Sequence, residues 1–279
     1  ENPDTTTNQY YIFTVGAGSS GGLNYSVVDM NLSGELGAVM TTLKNVPLVN
    51  PTLEKVTGVK HGNNHDYWII THKLDSYDFY AYLLTDSGVS PNPVISTTTN
   101  YYDNDALTGY MKASPTGNKL ALALKNNKRF DLYDFDVQTG EVSTPVNFPD
   151  NYDGAYGVEF SPDGSKLYTS KNSFGLYQFD LDAGTSAGII ASKVLISTVP
   201  NVAIQLGLDG KIYTNEGNDL GVIDSPNNLG FACNYTPAVL PLGSGVFGNS
   251  GLPTFIQSYF SPLSIHANGL CFGADTEFG

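Results

Sequence analysis

The sequence predicts an all-β chain, a β-propeller of four-stranded antiparallel blades, and three observations carry the prediction. A strand-turn-strand pattern recurs as VKHGNNHDYWIIT (59–71), MKASPTGNKLALA (111–123), VEFSPDGSKLYTS (158–170) and IQLGLDGKIYTNE (204–216). Its starts lie 52, 47 and 46 residues apart, a period that marks stacked supersecondary units. The turns carry Asp163-Gly164 and Asp209-Gly210, a pair that accepts positive φ in a hairpin. Apolar and polar residues alternate along the segments between turns, and no convincing amphipathic helix interrupts them.

The repeats divide the chain into five blades at about 10–48, 54–98, 106–148, 155–198 and 201–242. Each hairpin is followed by a third alternating segment: FYAYLLTDSGV (79–89), RFDLYDFDVQTGEV (129–142) and FGLYQFDLDAG (174–184). In the second of these, Phe130, Leu132 and Tyr133 surround Asp131, and Phe135 and Val137 alternate with Asp134 and Asp136. That is the period of a half-buried strand. A shorter fourth strand follows, as in VLIST (194–198). The first blade has second and third strands in YYIFTVGAG and GLNYSVVDMNLSGELG but lacks an opening strand. GLPTFIQSYF (251–260) is an apolar segment placed to close a ring, pairing either with sheet from before Glu1 or with the 10–32 segment.

Composition narrows the partners. With 13 Lys and Arg against 27 Asp and Glu, the net charge is −14, so no basic footprint exists for a nucleic acid backbone or an anionic membrane surface. No apolar run reaches bilayer length. The two cysteines, Cys233 and Cys271, have no CxxC spacing, and Cys233 reads as a buried thiol or half of a disulfide.

YYIFTV, YSVVDMNL, VKHGNNHDYWIITH, FSPDGSKLY, LGLDGKIY and GLPTFIQSYF together resemble the N-terminal propeller region of large Bacteroidetes surface proteins that carry PKD-type immunoglobulin-like modules and end in a type IX secretion or gliding-motility-associated signal. The resemblance implies a propeller over 1–260, a linker at 261–267 and the first strand of a PKD-type module at 268–279. It further implies export to the cell surface, a protein or carbohydrate ligand, and blade material preceding Glu1, on this chain or on a second polypeptide that completes the ring.

The candidate ligand-binding residues are Tyr101, Tyr102, Asp103 and Asp105 in one inter-blade connection and Tyr152, Asp153 and Tyr156 in the next. Exposed tyrosines beside acidic and amide groups suit sugars or protein surfaces. The same connections, YYDNDAL (101–107) and FPDNYDGAYG (148–157), offer oxygen ligands to calcium without EF-hand spacing. His61, His65 and His72 lie near Asp66, but at most two of the three converge, so no metal site is assigned there; Trp68 is expected in the core. The carboxylate pairs Asp103 and Asp105, Asp134 and Asp136, and Asp180 and Asp182 read as solvated faces and turns.

No nucleophile elbow or equivalent constellation is present. The reading from sequence is a non-catalytic surface binding, adhesion or structural module without a cofactor. The alternative is a metal-dependent propeller hydrolase or lactonase, with a central ion held by groups at equivalent points of the inner strands. Those points carry Lys60, Lys112, Glu159 and Gln205, a poor cage for a divalent cation.

Overall fold

The computed structural model describes residues 2–143, 145–149, 151–172, 174–199, 202–215, 217–243, 251–252 and 254–257. The expected linker and immunoglobulin-like strand, His266 and Cys271 lie outside the described residues.

Five antiparallel sheets follow one another along the chain. Blade one contains Gln9–Val15 and Leu23–Asp29, with Ala38–Val39 and Val46–Val49 both pairing with the latter. Blade two contains Thr57–Lys60, Tyr67–His72, Ser76–Thr85, Gly88–Val89 and Val94–Tyr102. Blade three contains Met111–Ala113, Lys119–Leu124, Arg129–Asp134 and Val146–Asn147. Blade four contains Ala155–Phe160, Lys166–Lys171, Leu176–Asp180 and Val194–Ser197, and blade five Ile204–Leu206, Ile212–Asn215, Asp219–Ile223 and Tyr235–Pro241. The arrangement is propeller-like, and the expected blade limits hold to within a few residues.

Neighbouring blades stick through apolar cores between their facing sheets, and the middle blades bury both faces. In KLALAL, Leu120, Leu122 and Leu124 join the core shared with blade two, while Ala121 and Ala123 join the core shared with blade four. Equivalent apolar clusters link blades one to two through Leu23, Ile69 and Tyr82, and four to five through Tyr168, Leu176, Ile204, Ile212 and Ile223. Two-sided burial corrects the half-buried reading of 129–134: Asp131 is fully buried. Its Oδ2 accepts from the Tyr102 hydroxyl at 2.6 Å and from Asn100 Nδ2 and Arg129 Nε, each at 3.1 Å. Desolvation pushes the Asp131 carboxyl above its ordinary pKa, and Arg129 opposes the shift.

The hairpin turns form as their residues predict, with Gly164 and Gly210 at φ 73° and 75°. The lysine after each turn pairs with an aspartate ending the third strand: Lys119 with Asp134 at 2.7 Å, Lys166 with Asp180 at 2.9 Å and Lys211 with Asp224 at 2.7 Å. One helix departs from the all-β expectation. Thr185 caps Ser186–Ala191 by accepting from Gly188 N at 3.0 Å, and Ile189 packs in the core between blades three and four.

Near the axis, Lys112 Nζ donates to Glu159 Oε2 at 2.7 Å, Gln205 Oε1 at 2.7 Å and Ile204 O at 2.8 Å. Glu159 also accepts from Phe160 N and Leu206 N, and from Gln257 Nε2 at 2.9 and 3.1 Å. Ile256-Gln257 thus brings an apolar residue and an amide to the level where the inner strands carry Val158-Glu159 and Ile204-Gln205. The described part of 251–260 forms no ladder, but Phe255 and Ile256 line a cavity with Tyr11 and Phe13 of blade one. The described part of the closing segment therefore faces the first strand of the 10–32 region across a cavity, without pairing with it. A Cβ at Gly58 would fall 3.1 Å from Ile256 Cγ1, so the glycine permits that approach.

Glu159→Ala strands a buried ammonium. It is expected to destabilise the fold by about 3–5 kcal/mol, measured by urea unfolding, whereas Lys112→Met with Glu159→Leu recovers most of that loss.

His72 is buried between the rings of Phe79 and Tyr102, each 4.6 Å away, with Nδ1 2.7 Å from Lys73 O. Burial lowers its pKa from 6.5 to about 4, against a smaller opposing effect of the Lys73 carbonyl. Between those values the unfolded chain binds a proton that the folded chain refuses. Stability is complete above pH 6.5 and falls as pH drops toward 4. Between pH 7.5 and 4.5, His72→Phe should gain roughly 2–3 kcal/mol relative to the wild type in urea titrations.

Candidate functional site

The order of strands puts the start of each inner strand, the turn between second and third strands, and the connection from the preceding blade at one end of the sheets. Backbone bonds hold these parts together: Lys125 N donates to Thr108 O, Asn172 N to Gly154 O and Tyr110 N to Tyr156 O. Both nominated connections, 101–105 and 152–156, therefore reach the same end.

At this end a cleft of about 250 Å³ is lined by Glu54, Lys55, Thr108, Tyr110, Tyr156 and Thr254 together with the apolar Val15, Val56 and Met111. Val56, Met111 and Thr254 also line a deeper, more apolar cavity of about 270 Å³ that reaches Lys112. Lys55 is buried and donates to Ala106 O at 2.8 Å and Leu107 O at 2.7 Å, while its own carbonyl accepts from Thr71 Oγ1. Desolvation lowers its pKa to about 7, with Glu54 opposing the shift. Glu54 Oε1 accepts from Gly18 N at 2.6 Å, which orients the carboxylate. The Tyr110 hydroxyl accepts from Leu252 N at 3.0 Å, and its ring stands edge-on to Tyr156 at 5.7 Å. A carboxylate, an amine that exchanges its proton near neutral pH and several hydroxyls thus share one small concavity. That set can move a proton and hold a polyol.

Of the nominated residues, Tyr156 alone lines this cleft. Tyr102 and Tyr152, expected to be exposed, are buried: Tyr102 in the Asp131 network, and Tyr152 against Phe130 at 5.0 Å and Tyr177 at 5.6 Å. The connections dip between blades, and an aromatic ring there fills the seam. Tyr101 stays exposed, 5.2 Å from Tyr77. Asp103 caps a short turn by accepting from Asp105 N at 3.0 Å, and Asp153 pairs with Lys128 at 3.1 Å beside a separate open groove. The other carboxylate pairs also serve turns and ion pairs: Asp136 accepts from Gln138 N, and Asp180 from Asp182 N.

His65 Nε2 lies 2.6 Å from Asp86 Oδ1, and with Asp66 they form a loose exposed group. His61 stacks on Trp68 at 5.4 Å, and His72 is remote in the core. Trp68 packs where expected and donates to Val137 O at 2.9 Å. The axial residues do not fit a divalent cation, because the Lys112 ammonium already takes the oxygens such an ion would need.

Glu54, Lys55 and Tyr110 were missed from sequence. The signal for Lys55 was positional: aligned on Val59 and Met111, it stands where the next blade has Leu107.

No protein-family model and no curated protein matches the chain. Among solved structures, the periplasmic gluconolactonase of Pseudomonas aeruginosa is similar at 17% identity over 77% of this chain, with a TM-score of 0.50. The match spans 63% of that protein's length. Two others are a putative 6-phosphogluconolactonase from Bacteroides uniformis, 12% identical over 87% of this chain and 86% of its own with TM-score 0.45, and a putative 6-phosphogluconolactonase from Bacteroides fragilis, 12% identical over 87% and 84% with TM-score 0.43. None is a PKD-type or gliding-motility protein by name. These neighbours correct the expectation of a non-catalytic adhesion module. The similar structure with a TM-score of 0.50 bears a gluconolactonase name, and the reading that the chain is not an enzyme is withdrawn with that expectation.

Proposed function

We propose that this chain is a lactone hydrolase of the propeller type, acting on a small sugar-acid lactone at the cleft of Glu54, Lys55, Thr108, Tyr110 and Tyr156. The observation that carries the reading is the placement of Glu54 and the buried Lys55 in one polar cleft at the connection end of the sheets. The likeness to a gluconolactonase supports it. The volume of about 250 Å³ lies below the range of drug-sized pockets, roughly 300–1,000 Å³, and suits one sugar ring better than a chain of them.

In this reading, Glu54 takes a proton from water as the water oxygen attacks the lactone carbonyl carbon. Lys55, in its protonated form, has one N–H beyond those given to its two backbone acceptors and uses it to steady the charge developing on the carbonyl oxygen. The ring C–O bond then breaks, and Glu54 returns its proton to the departing oxygen to leave an open hydroxy acid. Tyr110, Tyr156, Thr108 and Thr254 hold the ring hydroxyls. No step passes through a metal.

The test is pH-stat hydrolysis of gluconolactone, its 6-phosphate and an unsubstituted aliphatic lactone, each corrected for spontaneous opening. Turnover of at least one sugar lactone is expected, and Glu54→Gln should lower kcat/KM by about 10²-fold or more at unchanged Tm. Rates equal to background across the panel would overturn the proposal.

A further inference from the structure

Three segments of chain run from the cleft of Glu54 and Lys55 into the deeper cavity of about 270 Å³. Along the first, Val15 lines the cleft and Phe13 and Tyr11 line the cavity. Along the second, Glu54 and Lys55 line the cleft, Val56 lines both, and Gly58 lines the cavity. Along the third, Tyr110 lines the cleft, Met111 both, and Lys112 the cavity. The two concavities therefore follow one another along the strands. Apolar side chains dominate the inner one: Tyr11, Phe13, Ile69, Met111, Phe255 and Ile256. Lys112 offers it no donor, because its three N–H groups go to Glu159, Gln205 and the Ile204 carbonyl. Tyr11 and Phe13 are half-buried and Phe255 is 52% exposed, so the cavity wall retains apolar surface that a ligand can take out of water.

We propose that the deeper cavity is a subsite for an apolar substituent, an alkyl or aryl group, carried by the ring that the cleft holds. The inference rests on the lactonase reading and narrows its substrate class to lactones that bear such a group. Size permits it: a cavity of about 150 Å³ lined by Leu, Ile and Phe takes up benzene, and this one is larger. Distance permits it too. Three residues separate Lys55 from Gly58, about 10 Å of extended chain, so the substituent passes Val56 and Met111 into the cavity while the ring stays beside Glu54 and Lys55. Burial of the substituent strengthens binding by about 3–4-fold for each methylene. The contact is far from the reacting carbonyl and serves ground state and transition state alike, so it acts on KM and not on kcat.

Alkyl ethers of gluconolactone, methyl to octyl on the exocyclic oxygen, test it in the pH-stat assay. The hexyl ether should exceed the methyl ether in kcat/KM by roughly 10²-fold or more, with the gain in KM, and the rise should level off once the cavity is full. Phe255→Ala and Phe13→Ser should each lower the hexyl-to-methyl ratio by about fivefold or more; taken within one variant, the ratio cancels any loss of folded protein. Turnover of gluconolactone with a flat ether series would overturn the apolar subsite and leave the lactonase reading standing. If no lactone is turned over, the lactonase reading fails, and calorimetric titration with the hexyl ether of anhydroglucitol, the same ring without its carbonyl, decides the subsite. Binding that disappears in the methyl ether and weakens in Phe255→Ala supports it; no binding of the hexyl ether refutes it.

Discussion

Lys112 and Glu159 form an ion pair inside the molecule, and the centre of the fold is organised around satisfying it. A buried ammonium and carboxylate repay their lost hydration only when every remaining donor and acceptor finds a partner. Here the partners come from different parts of the chain: Gln205 and the Ile204 carbonyl from blade five, the Leu206 amide beside them, and Gln257 from the closing segment. The first strands of blades three, four and five are thereby tied to one another through these side chains. Gln257 ties down the segment whose Thr254 lines the cleft. The polar centre thus fixes one wall of a site that it does not itself enter.

The same pair shows why the centre is not an ion site. Lys112 takes the acceptors, and its charge is matched inside the fold. Polar side chains that line a concavity open to a small molecule lie instead at the connection end. There Lys55 is tethered to the carbonyls of Ala106 and Leu107, a contact that joins the start of blade two to the connection leading into blade three. Burial that lowers its proton affinity also immobilises it, so one arrangement supplies a positioned amine and a rigid wall.

Much of the fold was legible because propeller strands repeat their chemistry. Asp-Gly turns and the lysine after them recur in phase, and the ion pairs of Lys119, Lys166 and Lys211 are the structural counterpart of that recurrence. Less was legible where a residue's surroundings come from the next blade. Asp131 alternates with apolar neighbours as a solvent-facing residue would, yet blade two supplies Tyr102 and Asn100 to bury it. Tyr152 looks like a loop aromatic until Phe130 and Tyr177 are placed around it. The helix at 186–191 is too short for periodicity to reveal, and Lys55 stands in a connection where only comparison between repeats marks it as unusual.

The first strand of blade one carries one row of residues outward and the other inward. Its residues alternate: Tyr10 and Ile12 face outward, while Tyr11 and Phe13 line the deeper cavity beside Phe255 and Ile256. That cavity shares Val56, Met111 and Thr254 with the cleft of Glu54 and Lys55. The same strand ends at Val15, which lines the cleft itself, so one face of a single seven-residue strand contributes to the walls of both concavities.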